Sequence, residues 1–369
     1  MDHPDGVALI NQAEAADIRK GPVALIVVDG APLSHRMIGL VAHGVPTVLI
    51  TAEQAAQLQP GRQVCVDGGE GRITGCDMLP ADVRTPSPPQ PGQAVQLADG
   101  TAVWLMASVR GVDGVREAVD CGAGAIGLVR SEFIGGDRSK PPNAAFFRQA
   151  FHDLDKAAGQ LPITLRLLDL AADKPPDWLT DAAQLLHPLG MQGARLYLRE
   201  PVRGVLDAQL EAIAELVEHR PVDVLIPFLG RLQELTHWTQ VVRDALPAGV
   251  RVGAMLETPA AVMDMAHCSD TADFVAIGCN DLMQCLFGAD RDQPVLHRYL
   301  DPHAPALYRF LRQVANAVAE RLDAVQLCGV LPQLPQILPL LLGLSRHAMR
   351  RVGLNLAWAF GYNTIGISL

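Results

Sequence analysis

From residue 103 onward, short apolar runs alternate with longer segments whose apolar residues recur at helical spacing. The runs at 103–107, 125–128, 163–169, 224–228, 252–257, 274–278 and 325–329 have strand length and are rich in Val, Ile and Leu. Between them, 206–216 and 305–322 carry the 3.6-residue period of amphipathic helices. Strands alternating with helices predict a parallel α/β array, and its length suits a (β/α)8 TIM barrel. Closure needs an eighth strand, for which Ala348-Met349 is a candidate, and 194–198 also has strand composition. An open doubly wound sheet is the alternative, disfavoured because no early glycine-rich β–α turn appears.

The N-terminal side has a different grain. Residues 24–28 and 47–50 read as buried strands, 38–43 as a short helix, and 64–67 as a strand entering a Gly68-Gly69-Glu70-Gly71 turn before 72–74. These predict a compact α/β domain of roughly 80 residues, a size that folds alone. Between the two sides, 84–92 carries prolines at 86, 88, 89 and 91. That density interrupts helix and sheet and favours an extended, semi-rigid arm. The expected organisation is a small α/β domain over 1–83, a proline-rich linker over 84–99 and the barrel over 100–369.

Net charge narrows the functions. The chain of 369 residues carries a formal charge of −10, the wrong sign for a broad nucleic-acid face. Its seven cysteines form no C-x-x-C pair, which points to a reducing compartment. The start, Met1-Asp2-His3-Pro4-Asp5, has no signal-peptide pattern, and the apolar run 337–344 is broken by Pro339 and too short to span a bilayer. A cytoplasmic protein is expected.

The polar residues that interrupt this pattern gather at the ends of the expected strands, where barrel enzymes carry their chemistry. Glu257 and Asp281 each close an apolar run, and such a pair of hard oxygen ligands suits a Mg2+ ion working on a phosphate. Arg130, Arg166, Asp169, Asn280 and Cys328 also end strands, and Arg291 follows Asp281 by ten residues. Each arginine alone has a plain reading as a surface ion-pair partner. Several facing one mouth with two carboxylates form an anion pocket beside a metal site. In the small domain, Ser34 is a good helix N-cap, which places His35 where backbone N–H groups and the helix dipole favour a phosphate.

In order along the chain, these blocks resemble the phosphoenolpyruvate-utilising enzymes, the family of sugar-phosphotransferase enzyme I, phosphoenolpyruvate synthase and pyruvate phosphate dikinase. The blocks are Gly124–Phe133 with its Arg130-Ser131-Glu132-Phe133, Leu165-Arg166-Leu167-Leu168-Asp169 with Asp173-Lys174, Leu256-Glu257-Thr258-Pro259-Ala260, Ile277-Gly278-Cys279-Asn280-Asp281-Leu282-Met283-Gln284, Ala289-Asp290-Arg291 and Leu327-Cys328-Gly329. The resemblance implies a phosphohistidine swivelling domain joined to a barrel that binds phosphoenolpyruvate (PEP). It implies that Glu257 and Asp281 hold Mg2+. Arg130, Arg166, Asn280, Arg291 and Arg195 would bind the substrate, Cys328 would protonate the enolate carbon, and His35 would take the phosphoryl group.

The chain also departs from the pattern. Leu33 stands where the family has a threonine before Ser-His, and Gln192 replaces the first arginine of R-G-x-R, leaving Arg195. Ala171-Ala172 replaces a glycine pair, and Val330 replaces the acid of C-G-E. Nothing in the sequence corresponds to the ATP-grasp domain of the synthase and dikinase or to the carrier-docking helices of enzyme I. The implied second station is therefore a separate ATP-grasp subunit or phosphocarrier, and the family's barrels imply a homodimer. Two other functions compete: an impaired PEP- or pyruvate-binding regulatory protein, and a C–C lyase acting through a pyruvate enolate, for which His35 and Cys328 would be superfluous.

Overall fold

The computed structural model describes residues 6–12, 14, 22–41, 45–68, 71–75, 95–96, 102–134, 139–170, 175–181, 187, 189–318, 321, 324–329 and 355–358. The chain divides into two compact units. One contains Met1–Ser87 together with Phe287–Pro302, the other Pro88–Leu286 together with His303–Phe360.

The smaller unit is built on three parallel strands in the order β1 (Val7–Asn11), β2 (Ala24–Val28), β3 (Thr47–Ile50). Helix α1 (His35–Val41) follows β2 and turns Met37 and Leu40 into a core with Ile10, Leu25 and Val27. Its start is fixed by Ser34, fully buried, whose Oγ accepts from Met37 N at 3.2 Å. The helix thus begins at His35, three residues earlier than the expected 38–43. After the short α2 (Ala52–Ala55), β4 (Val64–Asp67) and β5 (Arg72–Gly75) form an antiparallel hairpin. Gly71, at φ +64°, supplies the left-handed residue this turn needs.

The larger unit opens with a two-stranded ladder, β6 (Val95–Gln96) and β7 (Ala102–Val103). The expected strand at 103–107 is thereby divided, because the barrel begins only at β8 (Leu105–Val109). The proline-rich stretch 84–92 lies outside the described residues. After β8 come α3 (Val112–Asp120), β9 (Ile126–Arg130), α4 (Ala144–Ala158) and β10 (Ile163–Arg166). The chain continues through α5 (Val202–Val217), β11 (Asp223–Leu229), α6 (Leu232–Ala245) and β12 (Val252–Leu256). It ends with α7 (Pro259–Met263), α8 (Met265–Thr271), β13 (Phe274–Gly278), α9 (Cys279–Phe287), α10 (Pro305–Ala317), β14 (Val325–Cys328) and β15 (Asn355–Trp358).

Strands β8 to β15 pair in parallel and in sequence, and β15 closes on β8, giving an eight-stranded barrel. The closing strand is Asn355–Trp358; the sequence candidate Ala348-Met349 lies outside the described residues. Residues 194–198 are part of a 3-10 helix, Gly193–Leu198, rather than a strand. Gly193, at φ +49°, turns the chain into it, and a Cβ there would lie 2.5 Å from Phe228 Cβ.

Parallel strands covered by helices are apolar on both faces, which is why these runs lack alternation. Inside the barrel, Leu128, Leu225, Met255, Phe274, Ala276 and Cys328 form one buried cluster. Gly253 makes room for the largest member, since a Cβ there would lie 2.3 Å from the Phe274 ring. Outside it, α4 buries Phe147, Phe151 and Leu154. Among the described residues no helix is long and apolar enough to cross a membrane.

Candidate functional site

The register of neighbouring strands decides which side chains share the barrel mouth. Arg166, the last residue of β10, pairs with Arg130, the last of β9. Gly278, the last of β13, pairs with Cys328, the last of β14. Glu257 follows β12, and Asn280 and Asp281 lie in the first turn of α9.

Glu132 organises the basic half. Two residues beyond β9 the chain enters a 3-10 turn, Ser131–Phe133, which presents the Glu132 carboxylate to both arginines. Its Oε1 accepts from Arg130 Nε at 3.1 Å and also from Arg166 Nη2. Arg166, only 5% exposed, further pairs its Nη1 with Asp169 Oδ2 at 3.0 Å and contacts Met255 Sδ at 3.6 Å. Burial by itself would raise the Glu132 carboxyl, but Arg166 and then Arg130 outweigh it and hold the group below its ordinary value. Burial likewise opposes the Arg166 cation, and Glu132, Asp169 and Glu257 together overcome that and keep it charged. Asp169 shifts the other way: burial, reinforced by Glu132 and Asp281, raises it against the pull of Arg166.

The backbone of Leu168, next to Asp169, is clamped from behind on both sides. Leu168 N donates to Gln209 Oε1 at 2.9 Å, and Leu168 O accepts from Tyr197 Oη at 2.7 Å. Gln209 and Tyr197 are fully buried on α5 and the 3-10 helix before it. Burial, with the nearby Asp169 charge, raises the Tyr197 phenol, so it remains a donor.

Across the mouth, Glu257 is buried at 4% exposure. Gly278 forms its cradle, for a Cβ at that position would lie 2.3 Å from Glu257 Oε1. Gly329 does the same for Asn280: its φ of +127° suits glycine, and a Cβ there would come within 3.0 Å of Asn280 Oδ1. Burial pushes the Cys328 thiol up to about 12, with Glu257 adding to the shift and Arg166 opposing it. Cys279 is raised by burial, then by Cys328 and Glu257. Both sulfurs are therefore neutral thiols.

The donor set fits a hard divalent cation. Glu132, Asp169, Glu257 and Asp281 are four carboxylates around two guanidiniums, a surplus of negative charge, and Glu132 Oε2 is buried without a hydrogen-bond partner. Among the described residues no three His, Cys, Asp or Glu groups cluster as a self-sufficient metal site. A cation here would take ligands from water and substrate, which is how proteins bind Mg2+.

The remaining candidates stand elsewhere. Arg195 pairs with Glu234 at 3.6 Å, donates to Gly190 O at 3.4 Å and stacks over the Phe228 ring at 5.4 Å. Gly230 allows that placement, because a Cβ there would lie 2.5 Å from Arg195 Nη2. Arg291 and His35 belong to the smaller unit. Arg291 is buried and its Nη1 donates to Leu33 O at 3.4 Å, two residues before His35. Gln12 holds the same loop, accepting from Ala31 N at 2.6 Å and donating to Asp292 O at 2.9 Å. Sequence reasoning passed over Gln12, Glu132, Tyr197 and Gln209. Only Glu132 left a trace, an acid two residues after a strand-end arginine.

Residues 89–351 match the family described as PEP-utilising enzyme, PEP-binding domain. The phosphoenolpyruvate-protein phosphotransferase of Streptomyces coelicolor is 31% identical over 330 residues, which cover 86% of this chain and 58% of that protein. Multiphosphoryl transfer protein 2 of Escherichia coli is 27% identical over 358 residues, covering 87% of this chain and 41% of its own. The phosphoenolpyruvate-protein phosphotransferase of Cupriavidus necator is 32% identical over 263 residues, 67% of this chain and 44% of that one. The chain spans about half the length of these curated relatives. With a closed parallel barrel and strand-end acids and arginines where the family's motifs fall, the chain belongs to the PEP-utilising enzymes and carries their PEP-binding domain.

Proposed function

We propose that the protein is a Mg2+-dependent phosphotransferase that moves a phosphoryl group between PEP and His35, with a separate phosphocarrier or ATP-grasp subunit as the other station. The observation that carries this reading is the barrel mouth, where Arg130 and Arg166 converge on one oxygen of Glu132 while Glu257 lies buried in its glycine cradle.

In this reading Glu257 and Asp281 hold the cation, which supplies charge neutralisation for the phosphoryl oxygens when bound. Phosphoryl transfer requires mainly positioning and electrostatic stabilisation. Arg130 and Arg166 exchange part of their hold on Glu132 and Asp169 for phosphoryl oxygens, and bidentate guanidinium contacts give both strength and orientation. As the P–O bond to the enolate oxygen breaks, a P–N bond forms on His35, and the enolate carbon takes the Cys328 proton. A thiol whose pKa is about 12 is protonated across the physiological range, as such a donor must be. His35 opens α1, where backbone N–H groups favour the phosphorylated ring. The resemblance to the family also assigns Asn280, Arg195 and Arg291 to the substrate.

The test is incubation of the protein with labelled PEP and Mg2+. An acid-labile phosphoprotein that disappears in His35→Ala is expected. No label, or label persisting in His35→Ala, rejects the role.

A further inference from the structure

We propose that Arg110 is a third anion-binding guanidinium at the barrel mouth and that it helps select a phosphorylated substrate over its unphosphorylated product. This deepens the proposed function and rests on it.

Arg110 directly follows β8, and Val109 pairs with Val129, so Arg110 leaves the barrel beside Arg130. Arg130 in turn pairs with Arg166 on β10. Three consecutive strands, β8, β9 and β10, thus each deliver an arginine to the carboxyl-terminal rim, where barrels bind substrates.

Phe133 links the first two. The Arg110 guanidinium packs on the Phe133 ring at 4.4 Å, and that of Arg130 packs on the same ring at 4.7 Å. An aromatic face fixes the plane of a guanidinium, and the five N–H donors lie in that plane, so stacking is compatible with hydrogen bonds to protein and to an anion. The ring therefore presents two flat cations as a fixed pair. Glu132 already offsets part of the Arg130 charge, and an anion carrying more than one charge can accept from both guanidiniums at once. Phe133 belongs to the same 3-10 turn as Glu132, so the turn that aligns Arg130 and Arg166 also aligns Arg110.

An ordinary structural role for the stack predicts something different. A guanidinium that merely covers Phe133 would affect stability and treat all ligands alike. One that meets the phosphoryl group would discriminate between PEP and pyruvate.

The experiment compares binding of PEP and of pyruvate, each with Mg2+, to the full chain and to Arg110→Gln. The expected result is a rise in the PEP Kd of about 10- to 100-fold, the scale of one lost charge-assisted contact. The pyruvate Kd stays within about twofold and Arg110→Lys recovers part of the loss. Should Arg110→Gln not fold, Arg110→Lys carries the test alone, with an expected rise of about 3- to 10-fold for PEP only. A PEP Kd unchanged from wild type, or an equal loss for both ligands, overturns the assignment. If the wild-type chain binds PEP, that failure is confined to Arg110; if it does not, the proposed function falls as well.

Discussion

Gly278 and Glu257 are in such close contact that a single methyl group on the glycine would lie 2.3 Å from the carboxylate Oε1 and 2.5 Å from Cγ. The pairing of Leu256 with Ile277 on β12 and β13 sets this approach, since it brings the residues that follow side by side. Gly278→Ala is therefore expected to displace Glu257 while leaving the strand apolar and paired. Displacement by about 1 Å costs on the order of 100-fold in rate when the displaced group is part of the chemistry. Mg2+ titrations of PEP binding and phosphorylation check it: the variant should need more Mg2+ for half-maximal labelling. Unchanged Mg2+ dependence would show that Glu257 does not serve the cation.

Glu132 is the single acceptor shared by Arg130 and Arg166. With Glu132→Gln, the buried Arg166 keeps Asp169 and the more distant Glu257 charge but loses the Glu132 carboxylate it bonds. Removing one partner from a buried ion pair typically costs about 3–5 kcal/mol, and the surviving Asp169 contact should bring the loss toward the lower bound. The pH dependence follows from the direction of each shift. Glu132 is held low, so its contribution is present above the ordinary carboxylate range and is lost as pH falls through its folded value. Asp169 is raised, so it acts in the opposite sense and weakens the fold as pH rises through its own folded value. Denaturant melts at descending pH should show a steeper acid loss in the wild type than in Glu132→Gln. Parallel curves would sink the shared-acceptor account.

Much of the barrel is legible in sequence because strands buried on both faces read as unbroken apolar runs. The misses have local causes. Strand β1 exposes Leu9 and buries only Ile10, so its five residues show neither a run nor an alternation strong enough to mark a strand. Residues 194–198 have strand composition, but Gly193 turns the chain into a 3-10 helix that places Tyr197 and Leu196 in the core. The strand-end acids and arginines were visible as interruptions of apolar runs. The roles of Glu132 and Gln209 were not, because each depends on a partner more than 30 residues away. Arg195 looked equivalent to the other arginines in sequence, and only the fold reveals its pairing with Glu234.

Cys328 offers a prediction from reactivity. Burial, then Glu257, pushes its thiol up to about 12, and alkylation proceeds through the thiolate. Modification by iodoacetamide should be slow near pH 7 and should keep rising beyond pH 9, where an ordinary cysteine levels off. Glu257→Gln removes one of the charges that disfavour the thiolate and should speed the reaction at a fixed pH. Mass spectrometry of the peptide containing Cys328 measures both effects. A plateau near the ordinary thiol value would contradict the buried, neutral thiol. Cys328→Ser should leave the fold intact and slow pyruvate release more than PEP binding, because the hydroxyl is a poorer proton donor.

Tyr197 and Gln209 grip one peptide unit on each side of Leu168, one taking its carbonyl and the other its N–H. Asp169, the next residue, is thereby held where it meets Arg166. Tyr197→Phe retains the ring that packs edge-on against Trp238 at 5.2 Å and deletes only the hydroxyl. The lost hydrogen bond and the unsatisfied Leu168 carbonyl should cost about 1–3 kcal/mol. Gln209→Leu should cost a similar amount, by stranding the Leu168 N–H. Because both grips bear on the backbone of one residue, Leu168, the double variant should lose less than the sum of the two, with coupling of about 0.5 kcal/mol or more. Urea melts of the two single variants and the double variant give that coupling directly. Strict additivity would mean that the two side chains act on separate parts of the fold and that Asp169 owes its position to something else.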